Sequence, residues 1–189
     1  MKYLTHRRIA FGSLLVVAAV AAGVLSQLGL GGSGRVQIGN GSVSALAWAA
    51  RSGDELPASV LRYPFAARNF ASESGHGSRR LITQGSLTLY AVPGKGGMLC
   101  LIEVDSSAQT AGGACADRSA LLTGSIYMAD RQEDGSRQVV GLVGDGHTYA
   151  KASGARTRVE NNAFVLRNVE DDAITIGSPT AEQTVDIDG

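Results

Sequence analysis

The sequence predicts a mainly β domain, an antiparallel sandwich or open barrel of about nine short strands, preceded by one transmembrane helix and one or two short helices. Three observations carry this. From residue 86 onward the apolar pattern has a period of two and is interrupted at short intervals by Gly, Pro, Asn and Asp. The connections between these stretches are too short for the crossovers of parallel βαβ units. Residues 9–30, "IAFGSLLVVAAVAAGVLSQLGL", contain no charged residue and are long enough to cross a hydrocarbon core of about 30 Å as a helix.

The N-terminal stretch sets the expected topology. Lys2, Arg7 and Arg8 precede the apolar run, and the positive-inside tendency places them in the cytoplasm with the rest of the chain outside. The expected organisation is a cytoplasmic stub at 1–8, a membrane anchor at 9–30, a Gly- and Ser-rich tether at 31–42, short helices and a loop at 43–85, and the β-domain at 86–189. A cleaved signal peptide starts in the same way, and "AVA" at Ala19–Ala21 fits a peptidase cut that would release the chain. The apolar run continues beyond it through Val24, Leu25, Leu28 and Leu30, longer than the apolar core of a signal peptide, which favours the uncleaved anchor.

In the 189-residue chain the 17 Lys and Arg balance the 17 Asp and Glu, and since three of the basic residues precede residue 34, the remainder carries 14 basic against 17 acidic. That part is mildly acidic, and no basic run interleaves with aromatics, so the footprint of a nucleic-acid binder is missing. The expected partners are the membrane, through residues 9–30, and a protein or envelope ligand of unknown identity.

Each element has its own signal. Val43, Leu46, Ala47 and Ala50 have helical spacing with Gly53 as a stop. Asp54 is placed to cap a second short helix reaching about Arg62, with Pro57 in its first turn. "ASESGHGSRR" reads as loop, with His76 between glycines. The strands expected next are "LTLYAV" (87–92), "MLCLIEV" (98–104), "SIYMAD" (125–130), "RQVVGLV" (137–143), "HTYAKA" (147–152), "RTRVE" (156–160), "AFVLRN" (163–168), "AITIG" (173–177) and "QTVDID" (183–188). "MLCLIEV" and "RQVVGLV" are nearly continuous apolar runs and read as central strands. Thr157 and Val159, like Val185 and Ile187, alternate with charged neighbours and should face inward.

Cys100 and Cys115 admit three readings. A metal pair wants ligands at close, matched spacing, and of the three histidines only His76 and His147 are expected on the outer side of the membrane with the cysteines. A catalytic thiol would leave the other cysteine unexplained. Two exported cysteines separated by a turn-rich segment fit a disulfide best, one that ties a Gly112-Gly113 loop to the sheet.

Asp145-Gly146-His147 is the sharpest local cluster. If both side chains shared a strand face they could work as an acid-oriented base; as a hairpin turn, Asp-Gly supplies positive φ angles and His147 opens the next strand. The turn is the favoured reading. Glu170-Asp171-Asp172 lacks the alternating oxygen ligands of a calcium loop, and His76 reads as an exposed loop residue. Trp48 reads as an anchor against the sheet or the membrane interface. No motif asks for a cofactor or resident metal: G-x-S-x-G, H-E-x-x-H and phosphate-cradling glycine loops are missing.

Four stretches together resemble a family of uncharacterised exported or single-pass proteins of high-GC Gram-positive bacteria. They are Leu89-Tyr90-Ala91-Val92-Pro93 with Leu99-Cys100, then Gly112-Gly113-Ala114-Cys115-Ala116, then Val139 to His147, then Val159-Glu160-Asn161-Asn162-Ala163-Phe164. Gly144, His147 and Asn161 depart from that pattern, which has Pro, Val and Asp there. The resemblance spans residues 87–166 and implies a β-rich exported domain with no established activity.

The expected function is therefore a non-catalytic, membrane-anchored extracytoplasmic module that binds or senses an envelope ligand. The alternative is an exported hydrolase using His147 and Asp145 with an unidentified serine. A regulator signalling through its single helix is a third reading, for which a stub of residues 1–8 would need a partner protein.

Overall fold

The computed structural model describes residues 41–187 except residues 73, 123 and 133. The stub, the expected anchor, most of the tether and the cleavage signal lie outside the described residues. No helix among the described residues is long and apolar enough to cross a membrane.

The chain is mostly β, and every strand pairing is antiparallel. A 3-10 turn at Ser44–Ala47 is followed by two short helices, α1 (Ala58–Leu61) and α2 (Pro64–Asn69). Strands β1 (Arg79–Gln84), β2 (Leu87–Pro93), β3 (Leu99–Asp105) and β4 (Thr110–Ala116) form a four-stranded meander. β5 (Ser125–Arg131), β6 (Arg137–Val143) and β9 (Ala163–Val169) form a second sheet. β7 (Tyr149–Ala152), β8 (Ala155–Arg158), β10 (Ala173–Gly177) and β11 (Glu182–Asp186) form the third, in the order β11-β10-β7-β8.

Period-two alternation explains how these sheets stack. On β6, Val140 and Leu142 join a core shared with Leu89 of β2 and Leu99 and Leu101 of β3. The intervening Val139 and Val143 join a second core with Ala150, Ile174 and Ile176 of the third sheet. β9 does the same, with Val165 on one side and Phe164 and Leu166 on the other. A strand covered on both faces has no reason to carry polar side chains, and "RQVVGLV" is accordingly apolar at successive positions. The outer face of the first sheet is covered in turn: Tyr90, Val92, Cys100 and Ile102 pack under Leu56, Val60, Ala66 and Phe70 from the helical region.

Several expectations are corrected. Eleven strands are described rather than about nine, and the β region starts at Arg79, inside the stretch assigned to helices and loop. β1 escapes a period-two reading because a bulge pairs Arg80 with Tyr90 and Ile82 with Leu89, so that Leu81 and Ile82 both enter the first core. β4 includes Gly112 and Gly113, expected as a loop; a Cβ on Gly113 would lie 2.6 Å from the Phe65 ring, so the glycine lets α2 approach the strand. The helix expected at Val43–Ala50 is only the 3-10 turn, because Val43 and Ala45, two residues apart, both insert into the first core. Asp54 does not cap a helix. The first residue before α1 is Pro57, with no side-chain cap, and Pro64 opens α2 as a separate helix.

The strand starting at residue 147 begins instead at Tyr149, and β6 and β7 belong to different sheets, so Gly144-Asp145-Gly146 is a crossover between layers rather than a hairpin turn. The true tight turn is Asn161-Asn162, with φ of 51° and 66° and reciprocal backbone bonds of 2.9 Å between Glu160 and Ala163.

Candidate functional site

The predicted pair Asp145 and His147 sits on one crossover, yet each side chain is engaged elsewhere. Asp145 Oδ1 accepts the Ser44 N–H at 2.9 Å and the Asn162 Nδ2–H at 2.8 Å. Burial works to raise this carboxyl, and the bonds from Asn162 and Ser44 outweigh it, holding Asp145 below the usual carboxylate range. His147 is buried, and its Nδ1 donates to the Gly144 carbonyl at 2.9 Å. Among the described residues its Nε2 has no hydrogen-bond partner, and neither does the buried Ser125 hydroxyl, so these residues form no serine–histidine bond.

Asp145 belongs to a polar knot centred on buried Asn162. The Asn162 Oδ1 accepts from Ala45 N at 3.2 Å and Ser44 Oγ at 3.3 Å, while Nδ2 donates to Val143 O at 3.2 Å as well as to Asp145. This amide ties three chain segments together with its donor and acceptor both used.

Cys100 and Cys115 form a disulfide across directly paired positions of β3 and β4, with Cα atoms 4.0 Å apart. The acidic stretch at 170–172 is tied down by Arg137, which pairs with Asp172 at 3.2 Å and donates to Asp171 O at 2.7 Å. His76 is exposed in its loop. Among the described residues no group of three or more His, Cys, Asp or Glu is arranged to hold a metal ion.

A feature the sequence did not reveal lies where the first core reaches solvent. Glu103 continues the inward face of β3 beyond Leu99 and Leu101, and accepts from Gln138 Nε2 at 3.1 Å. Burial, then the charges of Asp130 and Asp105, push the Glu103 carboxyl up to about 7, against the opposing Gln138 bond. Asp130 is raised as well, by burial of its carboxyl, although the residue as a whole is exposed.

An open groove of about 440 Å³ lies between the segment 48–54 and β1. Trp48, Arg51, Asp54, Arg79 and Arg80 line it, with Asn161 at one side. Trp48 packs against the first core, in line with its expected anchoring role, while its ring carries the Arg51 guanidinium 5.4 Å above the centroid. Arg79 is fixed by its Nε and Nη2 donating to Trp48 O at 3.2 and 3.0 Å, and by Nη1 donating to Ser78 O at 2.7 Å.

The Asp54 carboxylate does not pair with these arginine side chains; it accepts backbone N–H groups instead, from Arg51 at 2.8 Å and Arg80 at 3.3 Å. Its own carbonyl takes the Ser78 hydroxyl at 2.6 Å. Asp54 thus clasps the loop to the start of β1. None of the Arg51, Arg79 and Arg80 guanidinium groups is ion-paired among the described residues.

Sequence reasoning missed this groove because "WAARSGD" and "SRRL" are some 30 residues apart and adjacent strand residues normally face opposite ways. Arg79 and Arg80 pair in unbroken register with Ala91 and Tyr90, ahead of the bulge, and it is the packing of the 48–54 segment on the start of β1, with Arg79 donating to the Trp48 carbonyl, that places both arginines in the groove lining. Compared with protein-family models, curated proteins and solved structures, the chain finds no match.

Proposed function

We propose that the chain is a non-catalytic binding module, held on the outer side of a membrane by residues 9–30 and presenting the groove at Trp48 and β1 to its ligand. The observation that carries this is the groove itself: a concavity with an aromatic wall and arginines that form no ion pair among the described residues. The disulfide supports an oxidising compartment, and the resemblance to exported proteins points the same way. In this reading the sheets are a stacked sandwich rather than a closed barrel, supported by two separate cores on either face of the β5-β6-β9 sheet. Asp145 and His147 hold the crossover and the Asn162 knot.

The test is expression of the full chain in a bacterium with its export pathway intact. The chain should stay with membranes after carbonate extraction, be digested by protease added outside spheroplasts, and contain no free thiol. Protection from external protease, or two free thiols on the folded chain, overturns the address. Hydrolysis of a nitrophenyl ester that disappears in His147→Ala, with circular dichroism unchanged, overturns the non-catalytic assignment in favour of the hydrolase.

A further inference from the structure

We propose that the groove between Trp48 and β1 is a site for a phosphate group, with Arg51 and Arg80 as its ligands and Arg79 as the fixed cation behind them. The proposal rests on the reading of the chain as a binding module and names the chemistry of its ligand.

The part of the chain beyond residue 34 is mildly acidic, yet three of its 14 basic residues meet in one groove against a single carboxylate. Gathering like charges costs energy unless something compensates them. Asp54, the only acid among the described residues lining the groove, is committed to the backbone amides of Arg51 and Arg80 and forms no ion pair with the guanidinium groups beside it. What remains is a local excess of positive charge with unused N–H donors.

The geometry narrows the ligand. Arg79 uses all three of its nitrogens on carbonyl oxygens, so it is held in place and contributes its charge without moving. Arg51 and Arg80 are exposed, and the Arg51 guanidinium forms no ion pair among the described residues and lies over the face of Trp48. Planar guanidinium forks suit tetrahedral oxyanions, whose several oxygens can accept from two arginines at once. Trp48 supplies an apolar wall for carbon atoms next to the phosphate. The groove is open, so a phosphate attached to something larger can enter with its substituent left in solvent. That chemistry is shared by a soluble phosphate ester and by the headgroup of an anionic phospholipid.

The chain contains a single tryptophan, Trp48, so its fluorescence reports on the groove alone. The full-length protein in a neutral detergent is titrated with glycerol 3-phosphate and with inorganic phosphate, with glucuronate and sodium chloride at matched ionic strength as comparisons. In parallel it is reconstituted into vesicles of phosphatidylcholine with or without phosphatidylglycerol, and acrylamide quenching of Trp48 is measured. A saturable emission change with a soluble phosphate, weakened about tenfold or more in Arg80→Gln and in Arg51→Gln but not in Arg131→Gln outside the groove, supports the site and assigns a soluble source. Protection from acrylamide only in vesicles containing phosphatidylglycerol, lost in the same two variants, supports it and assigns a lipid headgroup.

Equal responses to chloride and phosphate, tighter binding of glucuronate, or no response in either arm overturns the phosphate assignment. Such a result leaves the binding-module reading to its own test by localisation and ester hydrolysis. Circular dichroism of each variant separates loss of the site from loss of the fold.

Discussion

Gly141 on β6 lies directly opposite Phe164 on β9, and the Phe164 ring fills the place where a side chain on residue 141 would begin: a Cβ there would stand 2.2 Å from Cε1. The ring is fully buried and faces the second core, so it has no free space to retreat into. Gly141→Ala should cost about 1–3 kcal/mol by overpacking, and Phe164→Leu should cost less when combined with it than the two single changes imply. Urea midpoints of the four proteins check this; strict additivity would show that the contact is not the cause.

The disulfide closes a separation of 15 residues and joins β3 to the edge strand β4. Its loss should destabilise the domain by about 3 kcal/mol on the chain-entropy account. Equilibrium unfolding of Cys100→Ala/Cys115→Ala beside the oxidised parent measures it. An unchanged midpoint would mean that the hairpin is already ordered in the denatured chain.

Asn161 and Asn162 share a turn and both have positive φ, so replacing either by Ala incurs the same kind of backbone penalty. Their side chains differ. Asn161 donates one bond, to Leu81 O at 2.7 Å, whereas buried Asn162 makes four. Asn162→Ala should therefore be the more damaging by about 2 kcal/mol, because it leaves buried partners unsatisfied. Thermal or urea unfolding of the pair decides it, and equal losses would assign the whole effect to the turn.

Glu103 predicts a pH dependence of definite sign. Its carboxyl titrates at about 7 in the folded domain against 4.5 for the ordinary group. Between those values the native state binds more protons than the unfolded one, so stability falls as pH rises from about 5 to 7 and stays low above it. Since Glu103 is only partly buried, the loss should be on the order of 1–2 kcal/mol after allowance for screening. Glu103→Gln, which keeps an oxygen for Gln138, should flatten this slope and be the more stable protein at pH 8. If the parent and the variant have parallel profiles, Glu103 is not the titrating group.

The legibility of the fold follows from where its information is stored. Strands buried on both faces announce themselves by consecutive apolar positions, as Leu99–Ile102 of β3 and Val139–Val143 of β6 do. At the half-buried β8 the alternation is legible, with Thr157 and Val159 partly buried and Arg156 and Arg158 exposed, but its bounds are not: the strand expected at 156–160 runs Ala155–Arg158 and leaves Val159 outside it. β4 was hidden because its glycines serve a neighbour, Phe65, and β1 because a bulge resets its alternation after Arg80.

The candidate site was less legible than the fold. Asp145 and His147 were conspicuous in the sequence by proximity, but proximity along a chain does not determine what a side chain bonds to; Asn162 and Gly144, 17 and three residues away, hold them.

By itself the sequence determined the β character of the chain, its principal strands, and the disulfide as the best reading of its two cysteines, since alternation and the turn-rich spacing of two cysteines can be read along the chain. Only the tertiary structure decided that three sheets stack around two cores, that Asn162 ties three segments, and that Trp48 and three arginines meet in one groove. Those relationships join residues tens to more than a hundred positions apart, and the bulges, crossovers and close approaches that create them leave no periodic trace.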